Sequence, residues 1–314
     1  MNRLTERQKR WLVVAAKLLI VLLALSGVGR TLARALDELE GFSWNVRPAW
    51  LVAAGGLYLM ALLPSAMFWH RVLRALGQTP RIGETLRAFY IANLGKYVPG
   101  KTLVVVMRAG MIRSERVDTA AAVIAIFIET LTMMAVGALV ATTVLAIWYR
   151  HLPWLLFVSA ALALVTGLPT FPPVLRRLAR WFQSLRFDVE LIDRLSRLRA
   201  ADLAAGWLGI AAGWSLMGLS LWATIVAFGL SAGGPTLDWP LCTLSVALAV
   251  VAGFLSFVPA GAVVREAVLL ELLAPQLGEA NALVAAVLLR VVWLVSDLVV
   301  SGILYMSPRI TASD

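Results

Sequence analysis

Apolar residues run along this chain in stretches of membrane length, separated by short polar and charged intervals. A helix needs about 20 apolar residues to cross a hydrocarbon layer about 30 Å thick. Six runs meet that length and predict full spans at 11–29, 49–69, 119–149, 153–171, 203–230 and 282–306. Two further apolar stretches are interrupted. The first, 84–108, is too short and too charged on either side of Pro99 and Gly100 to cross. The second, 241–257, breaks at "FVPAGAVVRE" and reads either as a short span or as a hairpin that enters and returns. The pattern predicts an all-α polytopic membrane protein: six full transmembrane helices plus two broken, re-entrant hairpins.

The two interruptions resemble each other. "KYVPGK" at 96–101 and "SFVPAG" at 256–261 each set an aromatic-Val-Pro break beside a glycine, Gly100 or Gly261. Each is followed by a polar patch and a long apolar helix. Glu129 lies 30 residues after Pro99, and Arg290 lies 31 after Pro259. With six spans, one unit starts outside and breaks at the inner face while the other does the reverse, which is an inverted-topology repeat. The whole chain, 1–314, then reads as one integral domain. It has a first helix and outer loop at 11–47, repeat one at 48–149, a linking helix and inner amphipathic helix at 150–202, and repeat two at 203–306.

Charge orients this arrangement. With the N-terminus inside, inner segments hold 21 of the 28 lysines and arginines and outer segments hold five. That bias is the one cytoplasmic loops carry. It also accounts for the net charge of +10 without nucleic acid, with membrane lipids bearing anionic or zwitterionic head groups as the partner. The side of the C-terminus depends on whether 241–257 crosses. The arginine-rich segment 175–199 spaces its apolar residues as a helix lying on the inner surface. A homo-oligomer is allowed by the sequence. One cysteine and two histidines leave little for a disulfide framework, a metal site or histidine-based catalysis, so no catalytic residue, metal ligand or cofactor is expected.

Besides Lys17 in the first predicted span, three charges fall inside predicted spans: Glu129, Arg290 and Asp297. An ionisable side chain at the bilayer centre costs about 2.5–3.5 kcal/mol on insertion scales. Two explanations stand: a Glu129–Arg290 salt bridge clamping the repeats together, or a polar cavity that passes a charged head group. Asp297, seven residues after Arg290 on the same helix face, is a second candidate counter-ion for it. Around the first break, Lys96, Lys101 and Arg108 suggest a vestibule for phosphate, or ordinary anchoring at the inner interface. Arg265 and Glu266, beside the second break, are expected to meet water or each other.

"NLGKYVPGK", the glutamate of "IFIETLTM", "FVPAGAVVRE" and the arginine of "VLLRVVWLVSD" resemble, in that order, the transmembrane region of lysylphosphatidylglycerol synthases and related stand-alone flippase-like membrane proteins. The resemblance covers about residues 10–306. It implies translocation of an aminoacylated phospholipid or a polyprenyl-phosphate-linked sugar between the leaflets of a bacterial inner membrane, with Lys96, Lys101, Arg108, Glu129, Arg290 and Asp297 meeting the substrate. Members often carry an arginine directly after the glutamate and an acid four positions on, where this chain has Thr130 and Met133. With 314 residues the chain is expected to transport without an aminoacyl-transfer domain. The rival readings are a membrane enzyme acting on a lipid or isoprenoid phosphate, and a scaffold of a lipid-synthesis complex.

Overall fold

The computed structural model describes residues 46–97, 102–150, 153–168, 174, 177, 200–230, 238–256 and 264–307. The elements are α1 (Pro48–Ala75), α2 (Ile82–Asn93) with a 3-10 turn at Leu94–Tyr97, α3 (Thr102–Ile112), α4 (Thr119–Trp148), α5 (Pro153–Gly167), α6 (Ala200–Ala227), α7 (Trp239–Leu255), α8 (Val264–Leu277) and α9 (Glu279–Met306). No strand occurs among the described residues. Four helices are long and apolar enough to cross a membrane: α1, α4, α6 from Leu203 onward, and α9. The protein is therefore a multi-pass, all-α membrane protein.

Several boundaries follow from local chemistry. Pro48 opens α1, where a missing backbone donor costs nothing. Asp118 caps α4 by accepting from the amides of Ala120 and Ala121 at 2.8 and 3.2 Å. At the start of α2 the Arg81 amide donates to Glu84 Oε2 at 3.0 Å, so a carboxylate of the first turn satisfies the amide that precedes the helix. Gly278, at a φ of 79°, turns the chain between α8 and α9 in one residue, a conformation that favours glycine.

The six-span count stands in part. The helix expected over 153–171 ends at Gly167 after 15 residues, about 22 Å at 1.5 Å per residue and so shorter than a bilayer. The first span and the amphipathic segment 175–199 lie outside the described residues, apart from position 177. Both interrupted stretches form pairs of short helices, α2–α3 and α7–α8. The connecting breaks, with Pro99, Gly100, Lys101, Pro259 and Gly261, lie outside the described residues.

The helices assemble by close approach of small residues. The Ala205/Gly209/Gly213 stripe faces α1 through its two glycines, and α1 and α6 form the most extensive helix pair. A Cβ at Gly213 would stand 2.5 Å from the Ala61 carbonyl oxygen, so the backbones touch. Gly137 on α4 leaves room for the Trp214 indole, which donates to the Met133 carbonyl at 3.0 Å. α2 packs on α9, and α7 packs on α4, so each short pair lies against a long helix distant in sequence.

The α1–α6 contact leads to a direct test by thermal unfolding in detergent. Gly213→Val, which forces a side chain into the Ala61 backbone, should cost at least about 1–3 kcal/mol. Gly56→Ala, where a Cβ meets nothing within 4 Å, should be neutral or stabilise by up to about 1 kcal/mol through helix propensity. Equal midpoints for the two variants would refute this packing.

Candidate functional site

Three carboxylates are buried or half-buried where the short helices meet the long ones, and each has its own cation. Asp297 on α9 has no exposed side-chain surface. Its oxygens accept from Asn93 Nδ2 at 2.9 Å, Tyr97 Oη at 2.8 Å and Tyr58 Oη at 3.1 Å, and it forms an ion pair with Lys96 Nζ at 2.8 Å. These partners come from one local construction. α2 ends at Asn93, and the 3-10 turn that follows brings Lys96 and Tyr97 to the same side. The turn lies flat on α3, since a Cβ at Gly95 would stand 3.0 Å from the Val104 amide nitrogen. Trp293, one helical turn before Asp297, stacks on the Tyr58 ring at 4.6 Å and 14°. It is held by donation to Ser220 Oγ at 3.1 Å, and Ser220 donates in turn to the Ala54 carbonyl at 2.8 Å.

Lys96 is the partly open member of this group, with its side chain 27% exposed. Its ammonium lies 4.9 Å from the ring centroids of both Tyr58 and Tyr97 and donates to Tyr58 Oη. Two aromatic faces and a carboxylate make a favourable seat for a desolvated cation.

The other two pairs each join a short helix to the long helix after it. Arg108 on α3 meets Glu129 on α4 at 2.7 Å, both buried, and its guanidinium lies over the Phe89 ring at 3.9 Å. Glu266 on α8 meets Arg290 on α9, with the arginine side chain 26% exposed. The signs are reversed between the pairs: cation on the short helix in one, anion on the short helix in the other. Glu129 Oε1, Arg108 Nε and Glu266 Oε2 are buried without a hydrogen-bond partner, so each pair retains unused polar capacity.

The family model for the lysylphosphatidylglycerol synthase TM region matches residues 11–301 of this sequence. The chain belongs to that family. No curated protein matches it.

Within this family member, five of the six expected substrate-site residues are described, and their pairing departs from the sequence reading. Glu129 is bonded to Arg108 and not to Arg290, so a Glu129–Arg290 clamp is not present. Asp297 does not serve Arg290 either. It sits two turns further along α9, where Lys96 reaches it from the first break. Lys96 and Arg108 are both committed to carboxylates, which corrects the picture of free cations gathered around that break. Glu266 pairs with Arg290 instead of with Arg265 or water alone. Lys101 lies outside the described residues.

Tyr58, Asn93, Tyr97 and Glu266 complete the groups and were missed from sequence. One signal was available for Glu266. It precedes Arg290 by 24 residues, much as Arg108 precedes Glu129 by 21, with the signs exchanged. Tyr58 offered no such signal, because a tyrosine within an apolar run is ordinary.

Removing one partner of a buried pair leaves the other charge uncompensated and costs about 3–5 kcal/mol. Arg108→Met should therefore destabilise strongly, and the double variant Arg108→Met/Glu129→Gln should recover most of the loss. The charge-exchanged pair Arg108→Glu/Glu129→Arg should be more stable than either single change, whereas Glu129→Arg/Arg290→Glu should show no such recovery. Thermal unfolding of these variants, with the Arg108→Glu and Glu129→Arg single changes beside them, checks the assignment.

Proposed function

We propose that this protein moves a lipid or lipid-linked substrate between the leaflets of a bacterial inner membrane, using the polar interior between its two pairs of short helices. The observation that carries the reading is the pair of charge-reversed bridges, Arg108–Glu129 and Glu266–Arg290, at corresponding places in two units of the same order. α1, α2–α3 and α4 make up one unit, and α6, α7–α8 and α9 the other. The packing supports this division. The short pair of each unit also touches the last long helix of the other, α2 against α9 and α7 against α4. We read the units as an inverted-topology repeat with re-entrant short helices, an architecture that moves one repeat against the other around a central site.

In this mechanism the ion pairs serve as exchangeable contacts. A hydrocarbon interior offers no water to a separated charge, so a bridge opens readily only when the arriving head group supplies a replacement partner. Lys96 and Arg290, each about a quarter exposed, are the members that a head group meets first. The acyl chains stay in lipid while the head group passes from one bridge to the next. Membership of the family supports the reading, and the charge distribution of the sequence favours a cytoplasmic N-terminus. A purely structural role for the charges would predict that neutralising both members of a bridge spares activity.

Translocation of a head-group-labelled phospholipid in proteoliposomes tests the proposal. Glu266→Gln/Arg290→Gln, which removes a bridge without stranding a charge, should slow translocation at least about tenfold, equivalent to about 1.4 kcal/mol. Wild-type rates from a folded double variant would refute the assigned role.

A further inference from the structure

Four cations and three carboxylates surround the two breaks among the described residues. Each carboxylate has one cation within ion-pair distance: Asp297 has Lys96, Glu129 has Arg108 and Glu266 has Arg290. Arg265 is the fourth cation. Among the described residues it forms no ion pair with a carboxylate, and its Nε is buried with no hydrogen-bond partner. The side chain is nevertheless held in a defined path. Its stem crosses the backbone of α7 at Gly253, where a Cβ would stand 2.6 Å from Arg265 Cγ and 2.8 Å from Nε. Glycine at 253 thus leaves the space through which this arginine leaves α8.

That path brings the guanidinium among charges of both signs. Arg265 is within electrostatic range of Lys96 and Arg290, which repel it, and of Glu266, which attracts it but is itself bonded to Arg290; the phenols of Tyr58 and Tyr97 are also in range. Lys96 and Arg290 have one carboxylate each, Asp297 and Glu266, so three cations away from bulk water share two anions, and a further anion balances the set. Two of the three, Lys96 and Arg290, are partly exposed, so an anion has an approach. A guanidinium presents a planar fork that fits two oxygens of a phosphate, whereas an ammonium acts as a point charge beside it.

We propose that Arg265, flanked by Lys96 and Arg290, is the binding site for the phosphate group of a phosphate ester. This inference rests on the transport reading above and names the part of the substrate recognised at its centre. The arginine takes the phosphate directly, while Lys96 and Arg290 are shared between the phosphate and their own carboxylates. The site then holds its ligand without breaking a bridge, and a bridge weakens when the phosphate draws its cation away.

Equilibrium binding to the full-length protein in detergent micelles tests the site, using short-chain phosphatidylglycerol and, separately, inorganic phosphate as titrants. Arg265→Gln should weaken binding at least about tenfold, the loss expected for a charge-assisted contact. Arg265→Lys should fall between that variant and the wild type. Gly253→Ala should also weaken binding although no charge is removed, and it covers the case in which Arg265→Gln does not fold. Arg113→Gln, an exposed cation beyond α3, should bind as the wild type does. Binding of the lipid but not of inorganic phosphate assigns the site to a head group. Equal binding of inorganic phosphate supports an anion site open to free phosphate. Wild-type affinity in both Arg265→Gln and Gly253→Ala overturns the proposal and leaves the transport reading standing. Arg265-dependent binding in a protein that translocates no lipid would refute the transport reading and leave the site.

Discussion

A carboxylate with no exposed surface in the middle of a membrane-length helix is the constraint around which this molecule is arranged. Asp297 cannot be left without partners in an apolar interior, and α9 supplies none for it among its hydrogen bonds. Its donors come from α1, from the end of α2 and from the turn after α2. Satisfying one side chain therefore fixes α1 and the end of α2 with its turn against α9, segments that are far apart in sequence. Trp293 extends the effect to α6 by stacking on Tyr58 and bonding Ser220. A second tie secures the same contact, since Arg87 on α2 donates to the carbonyls of Ser307 and Tyr305 at the end of α9, at 2.9 and 3.1 Å. The first short pair and the last long helix are thus held at several points by polar contacts, Ser301 donating to the Tyr90 carbonyl at 3.4 Å as well.

The corresponding contact in the other unit is different in kind. α7 meets α4 through surfaces that are largely apolar and small, and the hydroxyls of Thr243 and Ser245 on α7 are buried without a partner. Apolar contact in a membrane has little hydrophobic drive, because lipid chains are as apolar as the side chains they replace. Close backbone approach serves the neighbouring α6–α7 contact, where a side chain added at Gly218 would meet Thr243. The two units therefore share an order of elements and a pair of reversed bridges, while one junction carries charge and the other is largely apolar.

Much of this was legible along the chain. The long helices follow from run length, and the interruptions at Pro99 and Pro259 correctly divided two apolar stretches into pairs of short helices. The unusual residues Glu129, Arg290 and Asp297 stood out because a charge in an apolar run needs a reason, and each does lie at a junction. Their partners were misassigned for a geometric cause. Equivalent depth in the membrane suggested that Glu129 and Arg290 face each other, but depth says nothing about which side of a helix a neighbour occupies. Arg108 and Glu266 were the true partners, whereas the sequence reading had given Arg108 to a phosphate vestibule or inner anchoring and Glu266 to water or Arg265.

The sequence by itself determined the solvent of this protein, the positions of its helices and the presence of charges that demand compensation, since hydropathy, helix breakers and ionisation are local properties. Only the tertiary structure decided which cation meets which carboxylate, because ion pairing depends on distances of a few ångströms between helices brought together by glycine contacts far from the charges. It also decided that, among the described residues around the two breaks, Arg265 is the cation without a carboxylate of its own, a property of the whole set of pairs and of no residue alone.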